Sequence, residues 1–193
     1  MTLMNFRSIK HLIHERLIST EQSYKYSLLV KVGVVADVWR TWYVELPDRM
    51  VAVTYPLLQQ WTQQEDISIS DLEAAAAEND SVGFTIRSMS DVLGFLHDPE
   101  LPEMYVVSNE SGQFGAVAVL NNAVQKKLQD IFPGGYFVLL SSVHEILAIA
   151  NDTSDVDQLA FMVRSINREQ VSVDDRLSDH VFTVDHGRLA VAV

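Results

Sequence analysis

The residues of this chain best suited to chemistry lie in FVLLSSVHEILAIAND, Phe137 to Asp152, where Ser141-Ser142-Val143-His144-Glu145 stands between two apolar runs. A serine nucleophile needs a base within hydrogen-bond reach and a third group that orients the base. Ser142, His144 and Glu145, joined by Asp179 from the later stretch Leu177-Ser178-Asp179-His180, would make up such a set. In it, Asp179 would orient His144 or His180. In a regular strand Ser142 and His144 would share a face about 6–7 Å apart, too far for proton transfer unless the backbone turns between them. No G-x-S-x-G elbow strains the serine. Ala148 occupies the place of the second histidine of an H-E-x-x-H zinc site, so that motif fails. The plainer reading is a joint between strands. Ser141 and Ser142 bond to backbone in a tight turn, and His144 pairs with a neighbouring strand or a carboxylate such as Asp179. Ser178-Asp179 likewise closes a turn ahead of a strand.

Other polar groups offer less. Asn109-Glu110-Ser111-Gly112 lacks the D-x-[DN]-x-[DN]-G order of a calcium loop and reads as a turn. The acids of Asp152-Thr153-Ser154-Asp155-Val156-Asp157 complement the positive end of a helix dipole. Neither a Rossmann nor a P-loop glycine pattern is present, so no cofactor and no metal are expected.

The elements that must position these groups follow from periodicity. Residues 3–18 fit an amphipathic helix, and 24–46, rich in Val, Tyr and Trp, fit extended structure. Leu46-Pro47-Asp48 turns the chain. Thr54 caps a short helix with Pro56 in its first turn and Leu58 and Trp61 inward. Ser70-Asp71-Leu72-Glu73 matches a capping box for a helix to about Asn79. Ser88-Met89-Ser90-Asp91 starts another helix, which His97-Asp98-Pro99 stops. From Met104 the pattern becomes MYVVSN, a turn, FGAVAVL, then a helix capped by Asn121. YFVLLSS and EILAIAN follow, then a helix capped by Ser154, then HVFTVD, the turn His186-Gly187 and RLAVAV. Strands joined by short turns pair antiparallel. The expected class is α+β: an antiparallel sheet of ββα-ββα-ββ units, helices mainly on one face, with an N-terminal helical and extended region. Residues 1–66 would form that region, packed on a main domain over 67–193. Burial between the two accounts for Trp39, Trp42, Tyr43, Tyr55 and Trp61. An N-terminal helix packing on a second copy would give a homodimer.

Composition narrows the function classes. The chain has 193 residues, 48% of them hydrophobic, enough for a sizeable core. With no cysteine, thiolate metal sites and cysteine nucleophiles are excluded. Early charges at Arg7, Lys10 and Glu15 argue against a secretory signal, and no run reaches the length of a membrane span. A soluble cytoplasmic protein is expected. A net charge of −12 repels nucleic acid and anionic lipid and suits a basic protein partner.

DLEAAAAEND, MYVVSNESGQFGAVAVL, LLSSVHEILAI and MVRSINREQVSVDDRLSDHVFTVD, in this order and spacing, resemble a family of uncharacterised bacterial proteins, mostly from Firmicutes, known as domain of unknown function 5688. The resemblance covers residues 71–185. It implies no activity, cofactor or partner. The expected function is a non-enzymatic interaction or regulatory module with an acidic surface. The alternative is a hydrolase-like enzyme centred on Ser142, His144, Glu145 and Asp179.

Overall fold

A computed structural model describes residues 5–22, 25–80, 83–94, 102–151 and 155–193. The His97-Asp98-Pro99 stop and the Ser154 cap lie outside these residues. The chain opens with a short helix, α1 (Phe6–Ile9), capped by Asn5, and a 3-10 turn, Lys10–Leu12. The carboxylate of Glu65 accepts from the backbone N–H groups of Phe6 (2.7 Å) and Arg7 (3.1 Å), so free donors at the start of α1 are met by a distant side chain.

Here the structure corrects the expected helix over 3–18: residues Ile13–Ser19 form strand β1. The reason is tertiary. Strand β3 (Val38–Leu46) pairs along one edge with β2 (Lys31–Val35) and β4 (Arg49–Ala52), and β1 fills its other edge, from Ile13 opposite Val44 to Ser19 opposite Val38. Strand pairing there outweighs the helical spacing of the apolar residues. The second half of the amphipathic arm on which a second copy would have packed is therefore part of a sheet, while Phe6–Leu12 keep helical turns.

This sheet is backed by α2 (Tyr55–Glu65) and α3 (Ile69–Asn79). Thr54 caps α2 as its sequence indicates, with its hydroxyl accepting from Leu57 N. The capping box of α3 begins at Ser68 with Asp71 as its acid, two residues before the serine expected. Trp42 and Trp61 are fully buried in the core of this sheet, with Phe6 set edge-on to Trp61. They fill the N-terminal layer itself rather than its junction with the rest, and Tyr55 is exposed.

The second sheet runs β10-β9-β7-β8-β6-β5, antiparallel throughout the described residues, so the α+β class holds. Its strands are β5 (Phe84–Ser88), β6 (Met104–Asn109), β7 (Tyr136–Leu139), β8 (Ile146–Ala150), β9 (Val181–Asp185) and β10 (Arg188–Val191). Between β5 and β6 stands α4 (Met89–Leu93), capped by Ser88 and ended by left-handed Gly94. The His186-Gly187 turn carries positive φ at both residues, as a tight hairpin requires.

Two expectations fail in this layer. FGAVAVL is not a strand: Gly115–Leu120 forms a buried 3-10 segment. Strand β6 already has β5 on one side and β8 on the other, which leaves no edge for a third partner. Nor do the helices share a face. Alternation along β7 and β8 sends Val138, Ile146 and Ala148 toward the 3-10 segment and α5 (Asn122–Ile131). It sends Leu139 and Ile149 toward α6 (Val156–Glu169) on the opposite face. Both faces are apolar, so each needs a cover. Leu17 and Val38 of the first sheet enter the core of the second, and Ser178 donates from Oγ to Asp37 Oδ1 (2.8 Å) across the junction.

Candidate functional site

Among the described residues β1 pairs only with β3, and its other edge faces the 3-10 segment of the second sheet. An unpaired edge exposes backbone donors and acceptors. Side chains at the end of α3 meet several of them. Asn79 Nδ2 donates to the carbonyls of Lys10 and Ile13, each at 2.7 Å, and Glu15 N donates to Asp80 Oδ2 at 3.2 Å. The other oxygen of Asp80 lies 2.7 Å from His14 Nδ1. His14 Nε2 is 3.6 Å from Glu45 Oε2, so the ring sits between two carboxylates. The hydrogen bond to Asp80 is the main cause that holds its pKa above the ordinary 6.5, against the opposing effect of burial.

Glu15, next along the strand, projects to the other face. Its carboxylate is 3.9 Å from Arg40, which also pairs with Glu73. Burial nevertheless drives its pKa up to about 7, with Arg40 opposing. Burial also raises the pKa of Tyr43, which stands opposite His14 in the sheet. His14, Glu15, Tyr43, Glu45 and Asp80 line an open hollow of about 230 Å³ bordered by Phe84, Phe114 and the 109–111 turn. A neighbouring hollow of about 280 Å³ shares Glu15, Asp80, Phe84 and Val117 and runs to Leu120 and Asn121. Together they form an acidic cleft where the sheets meet.

One wall of this cleft depends on His144. Phe114 has left-handed backbone, with φ 55°, and its ring stacks on His144 at 5.8 Å between centroids. Phe114 N donates to His144 Nδ1 (3.4 Å), and Ser108 Oγ donates to His144 O (2.7 Å). The other ring nitrogen of His144, Nε2, lies 3.4 Å from Asp175 Oδ1. A run of rings, His14 to Tyr43 to Phe114 to His144, joins the cleft to the Ser-Ser-Val-His-Glu stretch.

The structure does not bring the residues singled out in the sequence into one constellation. Ser142 Oγ accepts from His144 N (3.1 Å) rather than facing the imidazole, and Ser142 bridges to Arg176. Glu145 is exposed. Asp179 accepts from Asn167 Nδ2 (2.6 Å), and Asp175 is the acid beside His144. The His14, Glu15, Tyr43, Glu45 and Asp80 group escapes sequence reading because β1 reads as helix. No alternation marks the strand locally: His14, Glu15 and Arg16 are three polar residues in a row between Ile13 and Leu17, whose i, i+4 spacing is helical. Among the described residues no cluster of three or more His, Asp or Glu side chains is arranged to hold a metal ion, and no helix is long and apolar enough to cross a membrane.

The architecture is thus that of an α+β protein of two antiparallel sheets with an acidic cleft at their junction. The chain belongs to the family of unknown function DUF5688, whose match spans residues 1–186 and so takes in the first sheet as well as the region whose motifs show the resemblance. No curated protein and no solved structure matches it.

The His14–Asp80 pair makes a direct prediction. In Asp80→Asn the pKa of His14 falls, because the neutral amide no longer favours the imidazolium. A pKa raised on folding adds stability that is complete below the unfolded value of 6.5 and disappears as pH rises through the folded value. Asp80→Asn therefore loses more stability at pH 5 than at pH 9. NMR titration of the His14 ring and denaturation at the two pH values check this; an unmoved His14 titration would refute it.

Proposed function

We propose that this protein is a non-enzymatic interaction module, located in the cytoplasm, that receives a basic segment of a partner protein in its acidic cleft. The observation that carries the reading is the composition of that cleft. Glu15, Glu45, Asp80 and Glu110 surround one 230 Å³ hollow, and among the described residues His14 is the one basic side chain that lines it. Tyr43 and Phe84 supply aromatic surface beside the acids, a combination suited to ammonium or guanidinium groups. The chain's charge of −12 would speed the approach of such a partner.

The test uses titration calorimetry with a Lys- and Arg-rich peptide. The parent binds with an affinity that falls steeply with salt. Replacing Glu45 and Glu110, both exposed at the rim, by Gln leaves the fold intact and weakens binding about tenfold or more, the effect of losing about 1.4 kcal/mol. Equal binding by the parent and the double variant would remove the cleft from the reading.

A further inference from the structure

Arg16 lies on the same strand as His14 and Glu15 but serves a different hollow. Its guanidinium carbon is 5.6 Å from the centroid of Tyr26 and 4.9 Å from that of Phe114. Those contacts engage the charge of the guanidinium through aromatic rings. They do not use its five N–H donors, which bond in its own plane. The side chain is only partly exposed, yet among the described residues it makes no hydrogen bond and no ion pair. Arg40 on the neighbouring strand, by contrast, pairs with two glutamates. With no protein acceptor among the described residues, the Arg16 donors can receive an acceptor that enters from outside.

The space for one is present. A hollow of about 200 Å³ opens beside Arg16, bounded by Ile18, Ser19, Tyr26 and Val143 on one side and by Asp174 to Arg176 on the other. Its acids are already engaged: Asp174 pairs with Lys25, and Asp175 lies 3.4 Å from His144 Nε2. Arg176 donates from Nε to Val171 O and from Nη2 to Arg168 O and keeps a further nitrogen. Ser19 Oγ accepts from Glu21 N and retains its own proton.

We propose that this hollow binds the carboxylate of a small organic acid, with Arg16 as the fork that receives its two oxygens. A planar guanidinium held by aromatic rings matches a carboxylate edge to edge. Asp174 and Asp175 at the rim disfavour a dianion such as a phosphate monoester, and Val143, Ile18 and the Tyr26 ring suit an apolar body. This site is separate from the acidic cleft, and its ligand has the opposite charge.

NMR titration of the full chain with butyrate and benzoate, and in parallel with butyramide and inorganic phosphate, tests the assignment. The carboxylates are expected to shift the amide signals of Ser19, Phe114 and Val143 saturably, and butyramide and phosphate to leave them in place. Arg16→Gln is expected to weaken carboxylate binding about tenfold or more, the equivalent of one charge-assisted hydrogen bond. Arg16→Lys keeps the charge but loses the fork, so it also binds more weakly, and it serves as the second variant if Arg16→Gln does not fold. The proposal is overturned if neither carboxylate gives a saturable response, if butyramide matches them, if phosphate binds in their place, or if a folded Arg16 variant binds as the parent does.

Discussion

Gly115→Ala is expected to destabilise the protein by about 3 kcal/mol or more, at the upper end of overpacking costs. Gly115 is buried at the start of the 3-10 segment. A methyl group there would lie 2.6 Å from His144 O and 2.7 Å from Asn109 N, and closer still to Ser108 Oγ. Two of these atoms are backbone, from β6 and from the turn before β8, so neither can swing aside. Relief requires the 3-10 segment to lift, which breaks the bond from Ala116 N to Val143 O (3.2 Å) and exposes the buried run Ala116–Val119. The third atom belongs to the Ser108–His144 bond that steadies the Phe114 wall of the cleft. Chemical denaturation measures the loss. A variant as stable as the parent would show that the close approach at Gly115 is not required.

Glu15→Gln is expected to act in the opposite direction and only above acid pH. A carboxyl group whose pKa rises from 4.5 to about 7 on folding keeps its proton in the native chain after the unfolded chain has lost it. Across that window the native state binds more protons, so stability falls as pH rises. At 1.36 kcal/mol per unit the penalty above pH 7 is on the order of 3 kcal/mol. Gln resembles the neutral acid and does not ionise. The variant should match the parent near pH 4, gain on it between pH 4.5 and 7, and hold a constant advantage above that. Parallel stability curves across this range would exclude a buried, ionising Glu15.

Local chemistry made much of the architecture legible. Thr54 and Pro56 mark the start of α2, Asn121 the start of α5, and His186-Gly187 a hairpin, because caps and tight turns are decided by residues within a few positions of one another. The pairing of β7 with β8 is equally local. The family, too, shows in motifs that can be read directly from the chain.

What the sequence could not decide was partnership at a distance. Residues 13–19 carry a helical spacing of apolar side chains, and they are a strand because β3 has a vacant edge there. FGAVAVL carries strand-forming residues, and most of it forms a 3-10 segment because β6 has no edge left. The cleft depends on both outcomes. His14 meets Asp80 only when β1 is extended against the end of α3, and Phe114 meets His144 only when the chain after it turns inward. Sequence by itself determined the caps, the turns, the charge and the composition of each segment. Tertiary structure alone decided which edges were free, and so which charged groups lost their water and faced one another.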